Sequence, residues 1–469
     1  MASHTEKLLH KNFPFEPTGA QKQLMHSLAA FMDAATSYKC FLLKGYAGTG
    51  KTTLIKSLIK TLRKLDYDVK LLAPTGRAAK VITQYTGSDA STIHRYLYEI
   101  KSDKDGGVIS KVKENKHHRQ VFIIDEASMI SNEDDKTLFK GASLLADCID
   151  HVYSQPDNFI LFIGDTAQLP PVGIEVSPAL DEDYLRRMHQ LEVSSFELKE
   201  VVRQQLDSGI LANAHCTRLL IEREEYRPRL KVAGFDDMER VTQQEIADIF
   251  ESYFPLRSDG NSIIICRSNK QANRYNEFIR NRFYAFEDPV EKNERLMVVK
   301  NNYYWHESDD KNAFIANGDE LQVVRTYSKE TVYDFDFMDA LVELKDESNT
   351  RLRVKLLLNA LTTETPALPQ EEYRKLFQKL GENYRTPKGK INLRKMKSDP
   401  YLNALQVKYA YAITCHKAQG GQWETVFVDP GFIPEDNYNK DYMRWLYTAL
   451  TRAQHKAYLI SIPEQFFVQ

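Results

Sequence analysis

The chain of 469 residues is 42% hydrophobic and 27% charged, with 20 glycines and 17 prolines, which excludes a disordered, fibrous or low-complexity protein. At about 150 residues per domain, the length suggests three domains. The 63 lysines and arginines nearly balance 65 aspartates and glutamates, a net charge of −2, so a histone-like or coat protein is excluded and any nucleic-acid contact must be confined to a channel or patch.

The first fifteen residues hold no apolar run followed by a small-residue cleavage site, so no signal peptide is expected. The apolar run 40–43 ends in glycines and predicts a buried strand feeding a tight loop. Leu54, Ile55, Leu58, Ile59 and Leu62 have helical spacing. A strand is expected at 69–73, a helix from about 78, and strands at 121–124 and 159–163. Strands that alternate with helices and are apolar on both faces imply a parallel sheet. The polar, charged segment 98–120, interrupted by Gly106 and Gly107, predicts an inserted β-hairpin. Residues 181 to about 254 read as helices. The buried-strand run 262–266 starts a second αβ unit. Short strands at 296–299, 320–324, 340–344 and 351–358 suggest a small β-barrel insertion. Residues 371–400 hold nine lysines and arginines against four acidic residues. Buried-strand character returns at 409–414, 425–428 and 457–460.

The expected fold is therefore α/β with two parallel sheets. The first domain spans 1–180 with a hairpin insertion at about 96–120. The second is split into 181–293 and 400–469, and 294–399 form an inserted β subdomain with a basic helical extension. No stretch approaches 18 apolar residues, so no membrane span is expected. Cys40, Cys148, Cys216, Cys266 and Cys415 are scattered and lack a C-x-x-C pair, which argues against disulfides and zinc and for a reducing, cytoplasmic compartment.

Gly45-Tyr46-Ala47-Gly48-Thr49-Gly50-Lys51-Thr52 fits G-x-x-x-x-G-K-[ST] with no gap. Its glycines let backbone N–H groups cradle phosphates. Lys51 is expected to reach the β- and γ-phosphates and the Thr52 hydroxyl to bind Mg²⁺, with Thr53 beside it on a helix whose N-terminus favours anions. The apolar run 121–124 ends in Asp125 and Glu126. Asp125 is assigned to Mg²⁺ and Glu126 to the attacking water as general base; standing alone, the pair would read as a charged cap at a strand–helix turn. The run 159–163 leads to Gly164-Asp165-Thr166-Ala167-Gln168, where Gln168 is placed to bond the γ-phosphate or the water.

At this point the chain resembles a family. The ordered set of Gln21, the phosphate loop, Ala73-Pro74-Thr75-Gly76-Arg77, Ser91-Thr92-Ile93-His94-Arg95, the carboxylate strand, the Gln168 loop, Glu200-Val201-Val202-Arg203, Thr414-Cys415-His416-Lys417 and Tyr447-Thr448-Ala449-Leu450-Thr451-Arg452 is similar to superfamily 1 helicases, most of all to the RecD and phage Dda branch. The resemblance spans about residues 15–460. It implies two RecA-like P-loop domains clamping ATP and a 5′→3′ motor on single-stranded DNA that opens tailed duplexes. A monomer is expected, with roles in DNA repair and recombination. It implies that Gln21 reads adenine and that Arg203 and Arg452 reach the γ-phosphate from the second domain. It also implies DNA contacts by Pro74, Thr75, Thr92, His94 and Arg95 from the first domain and Thr414, His416 and Lys417 from the second. The hairpin falls where relatives carry a strand-separating pin, with Lys111, Lys113, Lys116 and Arg119 available to phosphates or simply solvated. The β insertion resembles an SH3-like subdomain, and its aromatic run 303–305 reads as core packing or base stacking. Residues 371–400 suit DNA contact or domain contact equally. A translocase that does not separate strands and, further off, a subunit of an exonuclease complex are the alternative functions.

Overall fold

A computed structural model describes residues 2–468 apart from 103–107, 132–142, 201–206, 243, 256–260, 306–313, 346–348, 388 and 390. The first domain is built on β1 (Lys39–Gly45), β2 (Asp68–Ala73), β3 (Ala90–Thr92), the hairpin β4 (Tyr98–Ser102) and β5 (Val108–Val112), β6 (Gln120–Ile124), β7 (Phe159–Gly164) and β8 (Glu192–Leu198). Six of these strands form one sheet in the order β3-β2-β6-β7-β1-β8, and every neighbouring pair in it is parallel. All residues of β6 and β7 are buried. Helices cover both faces of such a sheet, which is why these strands are continuous apolar runs. The helix Lys51–Lys64 turns Leu54, Ile55, Leu58, Ile59 and Leu62 into the core, on the stripe its spacing predicts.

One correction concerns residues 181–254. The helices Glu182–His189, Gly209–Glu222 and Ile246–Tyr253 are present, but so are two strands. β8 pairs with β1 from Lys39 opposite Glu192 to Gly45 opposite Leu198, so the first sheet runs past residue 180. Its sequence escaped notice because an edge strand buries one face: Val193 and Leu198 are buried while Glu192, Ser195 and Glu197 are exposed.

The second strand so missed is β9 (Met238–Val241). It lies at one edge of the second sheet, to which β10 (Ser262–Cys266) also belongs. Next in the chain come β11 (Arg295–Val298), β12 (Glu320–Val332), β13 (Phe335–Leu344), β14 (Arg351–Leu357) and β15 (Leu405–Tyr409), which close into a barrel. Four of its strands stand close to the expected positions. The fifth arrives only after the helices Gln370–Asn383 and Leu393–Lys397, and it closes the barrel by pairing antiparallel to β11 and parallel to β14. The chain then returns to the second sheet through β16 (Ala412–Thr414), β17 (Trp423–Asp429) and β18 (Ala453–Ile460). That sheet has the order β16-β10-β17-β18-β9 and is parallel throughout. A buried ion pair fastens β11 to the helix of residues 269–279: Glu294 is fully buried, and its carboxylate accepts the Arg280 Nε–H at 3.1 and 3.2 Å and the Tyr411 hydroxyl at 3.0 Å.

Tyr303 and Trp305 take the packing option. Trp305 donates its ring N–H to the Asn403 carbonyl at 2.7 Å, and Tyr303 lies against Phe314 with ring centroids 5.0 Å apart. All five cysteines are free. Among the described residues no helix is long and apolar enough to cross a membrane.

Candidate nucleotide site between the two sheets

The phosphate loop leaves β1 at Gly45 and enters the helix Lys51–Lys64 through Gly50, whose φ of 84° lies in the left-handed region that a side chain disfavours. The Lys51 ammonium donates to the Gly45 and Tyr46 carbonyls at 2.5 and 2.8 Å. The loop thus holds its own cation in place across the turn, close to where the β- and γ-phosphates of a nucleotide would lie.

Gln21 is placed differently from the expectation of adenine reading. It is buried, its Nε2 donates to the Thr49 carbonyl at 3.2 Å, and its Oε1 accepts the Thr18 N–H at 3.0 Å in a capping box. One end of the amide braces the loop from behind and the other caps its own helix. Two further loop residues face the second domain. The Tyr46 hydroxyl, which donates to Glu197 of β8 at 2.6 Å, also lies 3.3 Å from Glu222 of the helix Gly209–Glu222, and the Ala47 N–H donates to the Tyr447 hydroxyl at 2.8 Å. The phosphate cradle is therefore left to the turn from Gly48 to Thr53.

A cleft of about 550 Å³ opens in front of this turn. Gly48, Gly50, Lys51, Thr52, Thr53, Asp125, Glu126, Asp165 and Gln168 line it from the first domain, and Gln422, Thr451, Arg452 and Gln454 from the second. Asp125 and Glu126 reach it because parallel β6 ends there, beside β7 and β2. Burial, then the neighbouring Glu126 charge, pushes the Asp125 carboxyl well above the usual carboxylate range; the Glu126 N–H, which it accepts at 2.8 Å, and Lys51 pull the other way. Half-buried at the cleft, this carboxylate and the Thr52 hydroxyl are oxygen groups of the kind Mg²⁺ prefers. Glu126 has a φ of 53°, an uncommon conformation for a residue with a side chain, and such residues concentrate at functional sites. Gln168 is 6% exposed, and its Oε1 has no hydrogen-bond donor among the described residues. An acceptor buried without a donor is costly, so this one is suited to a donor on a ligand.

Arg452 is 4% exposed and donates from Nε to the Thr448 carbonyl, from Nη1 to the Gly421 carbonyl and from Nη2 to the Thr451 hydroxyl, at 3.1, 3.3 and 3.1 Å. Three bonds fix the fork at the wall of the cleft opposite the phosphate loop. Arg203 lies outside the described residues.

The candidate DNA residues gather at strand–helix junctions. Thr75 follows β2 and accepts the Ala78 N–H at 3.2 Å; Thr92 ends β3 and accepts the Arg95 N–H at 3.1 Å. Each hydroxyl keeps its own proton to donate. Thr414 ends β16 and precedes the helix Cys415–Ala418, on which His416 is exposed and Lys417 donates to the Asn317 side chain at 2.6 Å. The two groups of junctions meet. A Cβ on Gly420 (φ 71°) would stand 2.8 Å from Ala78 Cβ and 3.1 Å from Thr75 Oγ1, so only a glycine allows this approach. Pro74 leads into the Thr75 junction, and His94 stands beside Tyr98 with ring centroids 5.9 Å apart. Arg77, for which no role was expected, stacks over the Trp423 ring at 4.5 Å and pairs with Glu320 of the barrel. The hairpin cations are partly spoken for: Lys113 donates to the Arg95 carbonyl, Arg119 to the Leu65 carbonyl, and Lys116 lies 3.5 Å from Glu114.

Sequence comparison adds a family context. The AAA domain family matches residues 20–220 and the UvrD-like helicase C-terminal domain family residues 409–460, together more than half of the chain. An uncharacterized protein of Methanocaldococcus jannaschii is 26% identical over 97% of this chain and 40% of its own length. The ATP-dependent RecD2 DNA helicase of Deinococcus radiodurans is 30% identical over 42% of this chain and 24% of its own. The ATP-dependent DNA helicase dda of Enterobacteria phage T4 is 36% identical over 28% of each chain. The match thus spans less than half the length of each of these relatives.

Proposed function

Because the chain belongs to the superfamily 1 helicases of the RecD and Dda branch, we propose that it is an ATP-dependent DNA helicase that moves 5′→3′ along single-stranded DNA and opens tailed duplexes as a cytoplasmic monomer. The observation that carries this reading is the single cleft in which Lys51, Thr52, Asp125, Glu126 and Gln168 of one sheet face Arg452 of the other.

In this reading Lys51 exchanges its loop carbonyls for the β- and γ-phosphate oxygens. Thr52 and Asp125 would hold Mg²⁺, which when bound neutralises phosphate charge. Glu126 accepts the proton of the attacking water, and Gln168 uses its open acceptor to orient that water. Arg452 stabilises the charge that spreads over the transferring phosphoryl group. Since hydrolysis removes the group that Arg452 contacts, each turnover loosens one sheet from the other. Alternating grip at Thr75 and Thr92 on one side and Thr414, His416 and Lys417 on the other converts that loosening into movement along a strand. These are contacts to sugar and phosphate, so they carry no sequence preference.

Strand-displacement assays on duplexes with a 5′ or a 3′ single-stranded tail test the proposal. ATP-dependent opening of the 5′-tailed substrate alone is expected. Opening only the 3′-tailed substrate overturns the polarity, and ATP-driven movement that never separates strands replaces the helicase with a translocase.

A further inference from the structure

Several hydrogen bonds cross between the domains at the cleft, among them Tyr85 to Gln422, and Tyr447 makes two of them. It stands on the helix Lys440–Leu450, which packs on the second sheet, and it is 1% exposed. Its hydroxyl accepts the Ala47 N–H of the phosphate loop at 2.8 Å and donates to Asp165 Oδ2, just beyond β7, at 2.7 Å. The other Asp165 oxygen accepts the Ala167 N–H at 2.9 Å, one residue before Gln168. A single hydroxyl from the second domain therefore joins the two loops of the first domain that face the cleft.

The neighbouring contacts repeat the arrangement. Thr448 Oγ1 accepts the Leu169 N–H at 2.9 Å, and Gln419 Nε2 donates to the Leu169 carbonyl at 2.6 Å. On the far side of the phosphate loop the Tyr46 ring lies under the Arg218 guanidinium at 4.4 Å. Two successive residues of the loop are thus seated in the second domain, while the turn that cradles phosphate begins at the residue after them.

We infer that the Tyr447 hydroxyl is a positioning group: it sets the phosphate loop and the Gln168 loop in register with each other only while the second domain is docked. The inference rests on the nucleotide-hydrolysis reading above. Tyr447 touches neither the nucleotide nor the water, and it acts through Ala47 and Asp165. Without the hydroxyl, the part-buried Ala47 N–H and the buried Asp165 carboxylate each lose a partner, and of the links between the two loops the contact between the Tyr46 hydroxyl and Thr166 remains. Affinity for nucleotide depends on Lys51 and on the amides from Gly48 onward, which Tyr447 does not contact. The loss therefore falls on turnover.

The test compares the full-length wild type with Tyr447→Phe, Asp165→Asn and the double variant. Phenylalanine keeps the ring packing against Ala167 and Ala214. The readings are mant-ADP affinity, and kcat and KM for ATP at saturating oligo-dT. In Tyr447→Phe, kcat is expected to fall at least about tenfold while the mant-ADP Kd stays within about threefold. The double variant is expected to be no slower than the slower single one, because both changes break one connection. A kcat within twofold of wild type overturns the inference. So does a loss of mant-ADP affinity in proportion to kcat, which would make the hydroxyl part of the binding loop, and so do losses that multiply in the double variant. If Tyr447→Phe does not fold, Asp165→Asn, which leaves the Tyr447 ring in place, carries the test alone: an unchanged kcat there overturns the inference and a lower kcat at constant mant-ADP affinity supports it. The strand-driven reading fails separately, as a wild-type ATPase that oligo-dT does not raise, and the variants are then compared by unstimulated turnover.

Discussion

Lys51 donates to two carbonyls of its own loop, so its removal leaves those acceptors at an open cleft where water replaces the cation. Lys51→Ala is therefore expected to stay folded, by circular dichroism, and to lose ATP hydrolysis, by phosphate release. Glu126→Gln preserves size and shape but cannot take a proton. Nucleotide binding is expected to persist while turnover falls about 10²-fold or more, and equal loss of both would make Glu126 a structural residue. Arg452 is already fixed by three hydrogen bonds, so little is lost in aligning it at the transition state. Arg452→Ala is expected to cut DNA-stimulated turnover by roughly 10³-fold with ATP affinity little changed, and Arg452→Lys is not expected to restore it, since an ammonium cannot form the planar fork. Retention of more than about a tenth of stimulated activity in Arg452→Ala would exclude this role. At this scale the sequence was legible wherever chemistry dictates residue type: Lys51, Thr52, Asp125, Glu126, Gln168 and Arg452 were all picked out, and all line one cleft. It was not legible where a residue's task depends on what stands opposite. Nothing in the order of residues says that the Ala47 amide is taken by a tyrosine from the end of the chain, or that Gln21 spends its amide on Thr18 and Thr49.

Elements buried on both faces announced themselves. β6, β7 and β10 are buried from end to end and almost wholly apolar, and their positions could be read directly. β8 and β9 bury only one face or a few residues, and without a second apolar row they merged with the helices around them. β15 was seen as apolar near its end, but its membership in the barrel depends on a return from two intervening helices, which no local pattern records. The joint between helix 269–279 and β11 gives the stability prediction at this scale. Arg280 is 7% exposed and its main anionic partner is the fully buried Glu294. Glu294→Ala strands that guanidinium and frees the Tyr411 hydroxyl, a change expected to cost about 3–5 kcal/mol, seen as a lower thermal midpoint. A midpoint shift of a degree or less would mean that water or Asp288 compensates.

Across the whole molecule, neither sheet holds a complete site. The carboxylates and phosphate loop belong to the first, Arg452 to the second, and Thr75 meets Gly420 where the sheets touch. A strand lying over both would favour the closed arrangement, so oligo-dT is expected to raise the ATPase, blunt-ended duplex to do so poorly, and added salt to weaken the effect through counterion release. An ATPase indifferent to every single strand at low salt would argue instead for a nucleotide switch acting on a protein partner. The barrel has its own place in this arrangement. Only Ala410 and Tyr411 separate β15 from β16, both are buried, and the backbone N–H groups of Tyr411 and Ala412 are held by Asn276 at 3.1 and 2.8 Å. Two residues span at most about 7 Å and here have no slack to give. The barrel is accordingly geared to the second sheet as one tooth is to the next: a tilt imposed on it by a load is delivered, without backlash, to the turn that carries Thr414, His416 and Lys417.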